Sequence, residues 1–229
     1  EFSINTIFLS EKDIRPCKGC RVCFDRGEEF CPLKDDLLSI HLEIMGADCV
    51  VLASPVYVND VNGTMKTFID RLAFVCHRPA YMNTLFFLLA TTGSSPATHT
   101  LRTMQSAVVS WGGQLIGWTA LVTGGLCARD EIITGYQKVL KKAAGTLVDQ
   151  VQSERQKRQG FISLLVFTIQ QSSWNKQFEE VGYESVDARY WRNNGWLDRG
   201  QTYFFGHRSG LWKIVPARLI GKLISRFMS

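Results

Sequence analysis

The stretch "ADCVVLASPVYVNDVNGTMKTFIDR", residues 47 to 71, decides the fold. Its first half, "DCVVLASPVY" (48 to 57), holds a continuous apolar run of the kind found in strands buried on both faces. A short polar turn follows. Then "NGTMKTFIDRLAFV" (62 to 75) places Met65, Phe68, Ile69 and Leu72 on one side of a helix. A buried strand leading directly into an amphipathic helix is the unit of a parallel α/β sheet.

The same alternation continues in both directions. Upstream, "FSINTIFL" (2 to 9) is short and β-rich, and "DDLLSIHLEIMG" (35 to 46) shows a helical stripe behind an Asp-rich start. Downstream come a strand at 84 to 93, a helix at 97 to 112 ended by Gly112-Gly113, a strand at 114 to 124, and a long amphipathic helix at 129 to 154. Four strand–helix units with buried-type strands predict a parallel sheet with helices on both faces. Residues 153 to 160 are a polar break. Beyond it aromatic residues concentrate, from Trp174 to Trp212. Two or three helices and a loop are expected there, as a cap over core surface or a dimer contact. The domains expected are 1–154 for the α/β part and 155–229 for a helical extension.

Composition narrows the class. Of 229 residues, 45% are apolar and 21% charged, the balance of a soluble globular protein. A net charge of +5 suits an anionic cofactor or a membrane surface and is too weak to argue for nucleic acid. No charged, then apolar, leader is visible at the start. The longest apolar run, 161 to 169, is about half the roughly 20 residues needed to cross a bilayer. A cytoplasmic setting is expected, where clustered thiols point to metal or redox chemistry more than to disulfides.

Seven cysteines are present, and four fall close together. Cys17, Cys20, Cys23 and Cys31 have the spacing C-x2-C-x2-C-x7-C, with Pro32 after the last. Two-residue gaps put three thiolates on one tight loop, which suits three irons of a single 4Fe–4S cubane with the fourth thiolate arriving later. Structural zinc more often uses two separated C-x2-C pairs. The cluster is the favoured reading over zinc and over unligated or redox-active thiols. Lys18, Arg21 and Arg26 would offset its negative charge. Cys49, Cys76 and Cys127 lie in apolar contexts and are expected as small core residues.

In an open parallel sheet, ligands bind beyond the carboxyl ends of the strands. The segments there are "SPVYVNDVNGTMK" (54 to 66) and "TTGSSPATH" (91 to 99), which offer backbone N–H groups, hydroxyls and Tyr57 for stacking. Ordinary strand-to-helix capping would use the same residue types. His99 is expected in a surface or capping role. There is no P-loop, no H-E-x-x-H and no strand–G-x-G-x-x-G–helix pattern.

The motifs "IRPCKGCRVC…CPLKDDL", "ADCVVLASPVYVNDVNGTMKTFIDR" and "TTGSS", in this order, resemble the flavodoxin-like NAD(P)H-dependent FMN reductases, in the iron–sulfur flavoprotein branch. The resemblance covers residues 2 to about 150. It implies a flavodoxin-like doubly wound parallel sheet, order 2-1-3-4-5, with FMN at the switch point. Ser54, Pro55, Val56 and Tyr57 would hold the flavin ring. Asn62, Gly63 and Thr64 would lie along its edge, and Thr91, Thr92 and Gly93 on the other side. Cys17, Cys20, Cys23 and Cys31 would ligate a 4Fe–4S cluster close to the flavin. The family's opening strand and its G-S-P-R-x-x-x-T phosphate loop have no counterpart here. The missing strand would lie between the strands at 2 to 9 and 48 to 53. The chain is therefore expected to be a fragment, in preference to a second chain filling the gap or the two edges pairing directly. Phosphate binding is left without assigned residues.

The function implied is electron transfer between NAD(P)H or another donor and a small-molecule or protein acceptor, through FMN and the cluster. A cluster-free FMN or quinone reductase is the second reading, and a non-catalytic flavodoxin-like scaffold the third. A homo-oligomer is expected. "LWKIVPARLIGKLISRFMS" (211 to 229) pairs a basic face with an apolar one, so peripheral membrane contact is expected as a minor alternative to docking on the domain.

Overall fold

The computed structural model describes residues 2–124, 128–153, 159–181 and 185–227 (of 177–181, the backbone only). Cys127, one of the thiols expected in the core, and residues 154–158 of the polar break lie outside the described residues.

The sheet has the order β2-β1-β3-β4. Strand β1 (Cys49–Tyr57) runs parallel to β3 (Leu85–Thr92), which runs parallel to β4 (Gln114–Val122). β2 (Asp60–Val61) folds back antiparallel on the end of β1, pairing Val56 with Val61 and Tyr57 with Asp60. The apolar runs at 48–57 and 84–93 thus form strands. β3 is the most buried of them, with Phe86, Leu88 and Ala90 inside the core.

Helices α2 (Leu37–Gly46), α3 (Gly63–Arg71), α4 (Ala73–His77) and α5 (Thr98–Ser110) supply the rest of this core. Phe68, Leu72, Val75, Met104, Val108 and Trp111 are fully buried in it with Phe86 and Leu88. Each such side chain contributes about 1.5–3 kcal/mol by leaving water. Asn62 starts α3, its side-chain oxygen accepting from the Met65 N–H. α6 (Arg129–Gln152) lies along β4 with no fully buried residue, and Tyr136 donates to the Val122 carbonyl.

Residues 2–9, expected as a strand, form none: 2–8 are irregular and Leu9 begins a 3-10 turn (Leu9–Glu11). Phe2, Ile4 and Phe8 stay exposed, Ile7 packs toward the core, and Asn5 donates to Glu43 of α2 at 2.7 Å. A β-rich segment becomes a strand only when a neighbouring edge accepts its ladder. β1 does not pair with it. From Cys49 to Pro55 the outer edge of β1 is bonded to no strand among the described residues. Direct pairing of the two edges is therefore not what the fold uses.

The C-terminal part builds a second core. Leu164 and Phe167 of α7 (Phe161–Val181), Trp191 of α8 (Val186–Asn193), Trp196, Tyr203, Phe204 and Ala217 of α9 (Leu211–Phe227) pack together. The rings meet mostly edge to face, as Phe167 and Phe204 do at 4.9 Å and 82°. Gln171 donates to the carbonyls of Trp196 and Asp198, fixing the connecting loop.

α9 docks on α7 through small residues. At Gly221 an added Cβ would sit 2.8 Å from Thr168 Cβ and 3.3 Å from the Leu165 carbonyl oxygen. Gly221→Ala is expected to cost about 1–3 kcal/mol through overpacking, read as a lower urea midpoint. An unchanged midpoint would show that the two helices can part freely.

Candidate redox site

The cysteine loop is closed by its own acidic end. The Asp36 N–H donates to the Asp13 carbonyl at 2.9 Å, and the Asp13 N–H donates to Asp36 Oδ2 at 2.9 Å. The Arg15 N–H donates to Asp35 Oδ2 at 3.1 Å. Between these ties the chain turns sharply. Gly19 (φ 64°) and Arg21 (φ 62°) are left-handed, which brings Cys17, Cys20 and Cys23 around on consecutive turns. The short helix α1 (Val22–Asp25) then leads to Cys31.

All four cysteines line one cavity of about 90 Å³. Cys17 and Cys20 are exposed, Cys23 and Cys31 half-buried. Its apolar wall comes from Phe24, Leu37, Leu38 and Phe74, and its charged wall from Arg71 and Glu28. Among the described residues, no three His, Cys, Asp or Glu side chains converge on a point that could hold one metal ion. A tetrahedral zinc needs its sulfurs about 3.8 Å apart, from Zn–S bonds of about 2.3 Å. A cubane binds each thiolate to a separate corner and leaves space between them. Four thiols lining one cavity supply the donor chemistry that a cubane requires.

Two buried arginines support the loop. Arg71, at the end of α3, donates through Nη1 to Asp35 Oδ2 and to the Arg15 carbonyl, both at 2.6 Å. Its Nη2 reaches Asp35 Oδ1 at 3.2 Å and Cys31 Sγ at 3.9 Å. The side chains of Arg71 and Asp35 are 3% and 1% exposed. Burial alone would raise the Asp35 carboxyl, but the Arg71 guanidinium and the N–H groups of Arg15 and Leu37 outweigh it and hold it below its usual range. Arg78 donates to Asp187 of α8, to Glu28 at 2.6 Å and to the Cys23 carbonyl at 2.8 Å. Asp187 also meets His77 Nδ1 at 2.8 Å.

Burial pushes the Cys23 thiol up, Cys31 and Cys17 add to that, and Arg78 works against them. The Gly19 N–H points at Cys17 Sγ, 3.4 Å away. This donor set gathers sulfurs whose ionised forms repel one another and places cations and an N–H beside them. Such a set suits a polynuclear cation that shares the charge. The sequence motifs "KDD" and "FIDR" contain Asp35 and Arg71, but their pairing across 36 residues is visible only in the fold. Arg78, Glu28 and Asp187 carried no sequence signal.

The second group of expected residues gathers at the strand ends. Pro55 on β1 lies beside Thr91 on β3 in register, so Ser54–Tyr57 and Thr91–Gly93 are neighbours, with Asn62–Thr64 opening α3 next to them. The buried Ser54 hydroxyl donates to the Pro55 carbonyl at 2.9 Å and accepts from the Asn62 N–H at 3.2 Å. Thr92 Oγ1 donates to the Ser95 carbonyl at 2.9 Å. These hydroxyls are spent on loop shape, which leaves the backbone and the exposed Tyr57 to meet a ring. Such a surface fits the ring end of a flavin.

The tip between β1 and β2 is a feature that sequence reading missed. Val58 (φ 50°) and Asn59 (φ 65°) are both left-handed, the geometry of a two-residue type I′ hairpin. A β-branched, exposed residue in this conformation is an outlier of the kind that clusters at ligand sites. Asp60 anchors the tip, accepting from Thr103 and from the Val61 N–H, both at 2.7 Å. His99 stands at the surface, 3.5 Å from the same carboxylate. Burial opposes the Asp60 charge, but these hydrogen bonds and His99 outweigh it and lower the carboxyl.

Asn62–Thr64 open α3, and Asp70 and Arg71 at its other end line the cysteine cavity.

The family model described as NADPH-dependent FMN reductase matches residues 1–123. An iron–sulfur flavoprotein of Archaeoglobus fulgidus is 41% identical over 78 residues, 34% of this chain and 34% of that protein. One from Methanosarcina thermophila is 34% identical over 70 residues, 31% of this chain and 36% of that one. The matches thus span about a third of the length of these curated relatives. Among solved structures, the Trp repressor binding protein from Bacillus subtilis superposes with a TM-score of 0.41 at 21% identity, covering 49% of this chain and 73% of that one. With more than half of its residues matched by the family model, the chain belongs to the NADPH-dependent FMN reductase family, and its similarity within that family runs to the iron–sulfur flavoproteins.

Proposed function

We propose that the protein is an electron-transfer flavoprotein. It carries electrons between NAD(P)H or another donor and an acceptor, through FMN and a 4Fe–4S cluster on Cys17, Cys20, Cys23 and Cys31. The observation that carries this reading is the gathering of four thiols around one cavity beside a buried guanidinium. Bound there, the two cofactors supply the redox chemistry.

The side chains of this chain position and insulate. Phe24, Leu37, Leu38 and Phe74 give the cysteine cavity an apolar wall. Arg71 and the Gly19 N–H place positive charge beside sulfur. At the other end of α3, Ser54–Tyr57, Asn62–Thr64 and Thr91–Gly93 hold the flavin ring, with Tyr57 exposed for stacking. No side chain is assigned as acid or base.

Protein purified without oxygen is expected to hold about four iron and four sulfide per chain. Cys20→Ser is expected to lose most of that iron. Wild-type protein without iron or sulfide would overturn the cluster. It would leave the second reading, a cluster-free NAD(P)H-dependent FMN or quinone reductase, whose activity Cys20→Ser leaves nearly unchanged.

A further inference from the structure

Helix α9 turns its small residues inward and its large ones outward. Ala217, Gly221 and Ser225, four apart, are buried against α7. On the opposite side Trp212 is 75% exposed, Leu219 66%, Leu223 54% and Phe227 83%. A soluble helix ordinarily does the reverse. The exposed side chains form one ridge along a helix of 17 residues, about 25 Å long.

Charge accompanies the ridge. Arg218, Lys222 and Arg226 follow one another at four-residue spacing along one flank, and Lys213 lies on the other, 5.0 Å over the Trp212 ring. Arg218 donates to the Arg199 carbonyl at 2.6 Å, which fixes that flank. No Asp or Glu occurs after Asp198.

The cover must therefore be apolar at its centre and anionic at its margins. A second copy of the chain does not supply this. A two-fold interface sets a patch against itself, and here that would lay basic flank on basic flank, with no carboxylate on α9 to pair them. An anionic bilayer supplies both. The acyl boundary receives Trp212, Leu219, Leu223 and Phe227, and headgroup phosphates meet the cations. No helix among the described residues is long and apolar enough to cross a membrane, so α9 would lie in the plane of the surface. We propose that α9 is an in-plane anchor for an anionic phospholipid surface. This inference does not depend on the cofactors.

The test is sedimentation of the whole protein with vesicles of phosphatidylcholine containing phosphatidylserine, against vesicles of phosphatidylcholine alone. The anionic vesicles are expected to bind it, less at high salt. Leu219→Glu with Leu223→Glu should lower the partition coefficient at least about tenfold, and Lys222→Gln alone about fivefold. Both leucines are exposed, so the double variant should keep its far-UV circular dichroism; Trp212→Ala, at the other end of the ridge, serves as a second probe and should also weaken binding. Absence of binding to anionic vesicles would overturn the proposal, as would binding that survives the double variant and Trp212→Ala. So would light scattering showing an oligomer that the double variant dissociates, with no vesicle binding, since the ridge would then join copies of the chain.

Discussion

Asp35→Asn is expected to destabilise the protein by about 3–5 kcal/mol, among the largest effects of any single substitution at the site. The reason is what remains. Arg71 is 3% exposed and loses its only carboxylate partner among the described residues, so a guanidinium stays in the interior with the Arg15 carbonyl and Cys31 sulfur for company. Asp35 also ties down the Arg15 N–H, so the start of the cysteine loop loosens at the same time. Urea unfolding of wild type and variant at neutral pH measures the difference. Asp35→Leu combined with Arg71→Met should recover part of the loss, because no unpaired charge is then buried. The pH dependence has a definite sign. The folded carboxyl is held below its ordinary value of about 3.9, so its contribution is complete above that pH and is lost as pH falls through the lowered value. The gap between wild type and Asp35→Asn should be flat from about pH 5 to 8 and close below about pH 4. A loss under about 1 kcal/mol at neutral pH would show that water reaches the pair.

Which parts of the fold were legible in the sequence depends on the range of the forces involved. β1 and β3 could be read because a parallel strand buried on both faces needs a continuous apolar run. α3 could be read because Met65, Phe68 and Leu72 repeat at helical spacing, and its capping Asn62 is local. Residues 2–8 have the same β-rich composition and are not a strand, since pairing is a property of two segments and composition of one. The hairpin tip at Val58-Asn59 was missed because valine is a poor residue for a left-handed turn. At the site, cysteine spacing picked out the four thiols that line one cavity. The arginines that support it come from 40 and 55 residues further along the chain, Arg71 to Cys31 and Arg78 to Cys23, and no local pattern announces them.

Arg78→Met is expected to uncouple the C-terminal helices from the cysteine loop and to cost about 3–5 kcal/mol. Arg78 is 6% exposed and touches both parts: Asp187 on α8 on one side, Glu28 and the Cys23 carbonyl on the other. The contact around it is extensive. Trp191 Nε1 donates to the His77 carbonyl at 2.7 Å, Tyr190 donates to the Pro79 carbonyl at 2.8 Å, and Gln170 donates to the Cys76 carbonyl. These bonds hold the helices to the end of α4 and to Pro79 just after it, but none of them reaches the cysteine loop. Arg78 does, so among the described residues its loss takes a buried cation from both Asp187, which keeps His77, and Glu28. Two consequences follow from that geometry. Unfolding should cease to be a single transition: tryptophan fluorescence, dominated by the aromatic second core, should report a lower urea midpoint than far-UV circular dichroism. Iron retention should also fall in the variant, since the Cys23 turn loses the donor that holds its carbonyl. Coincident transitions at the wild-type midpoint, with iron retained, would mean that the aromatic contacts bind the two parts without help from the ion pair. The contrast with Asp35→Asn separates the two arginines: Arg71 acts within the α/β core, and its partner's loss should lower both midpoints together, whereas loss of Arg78 should split them.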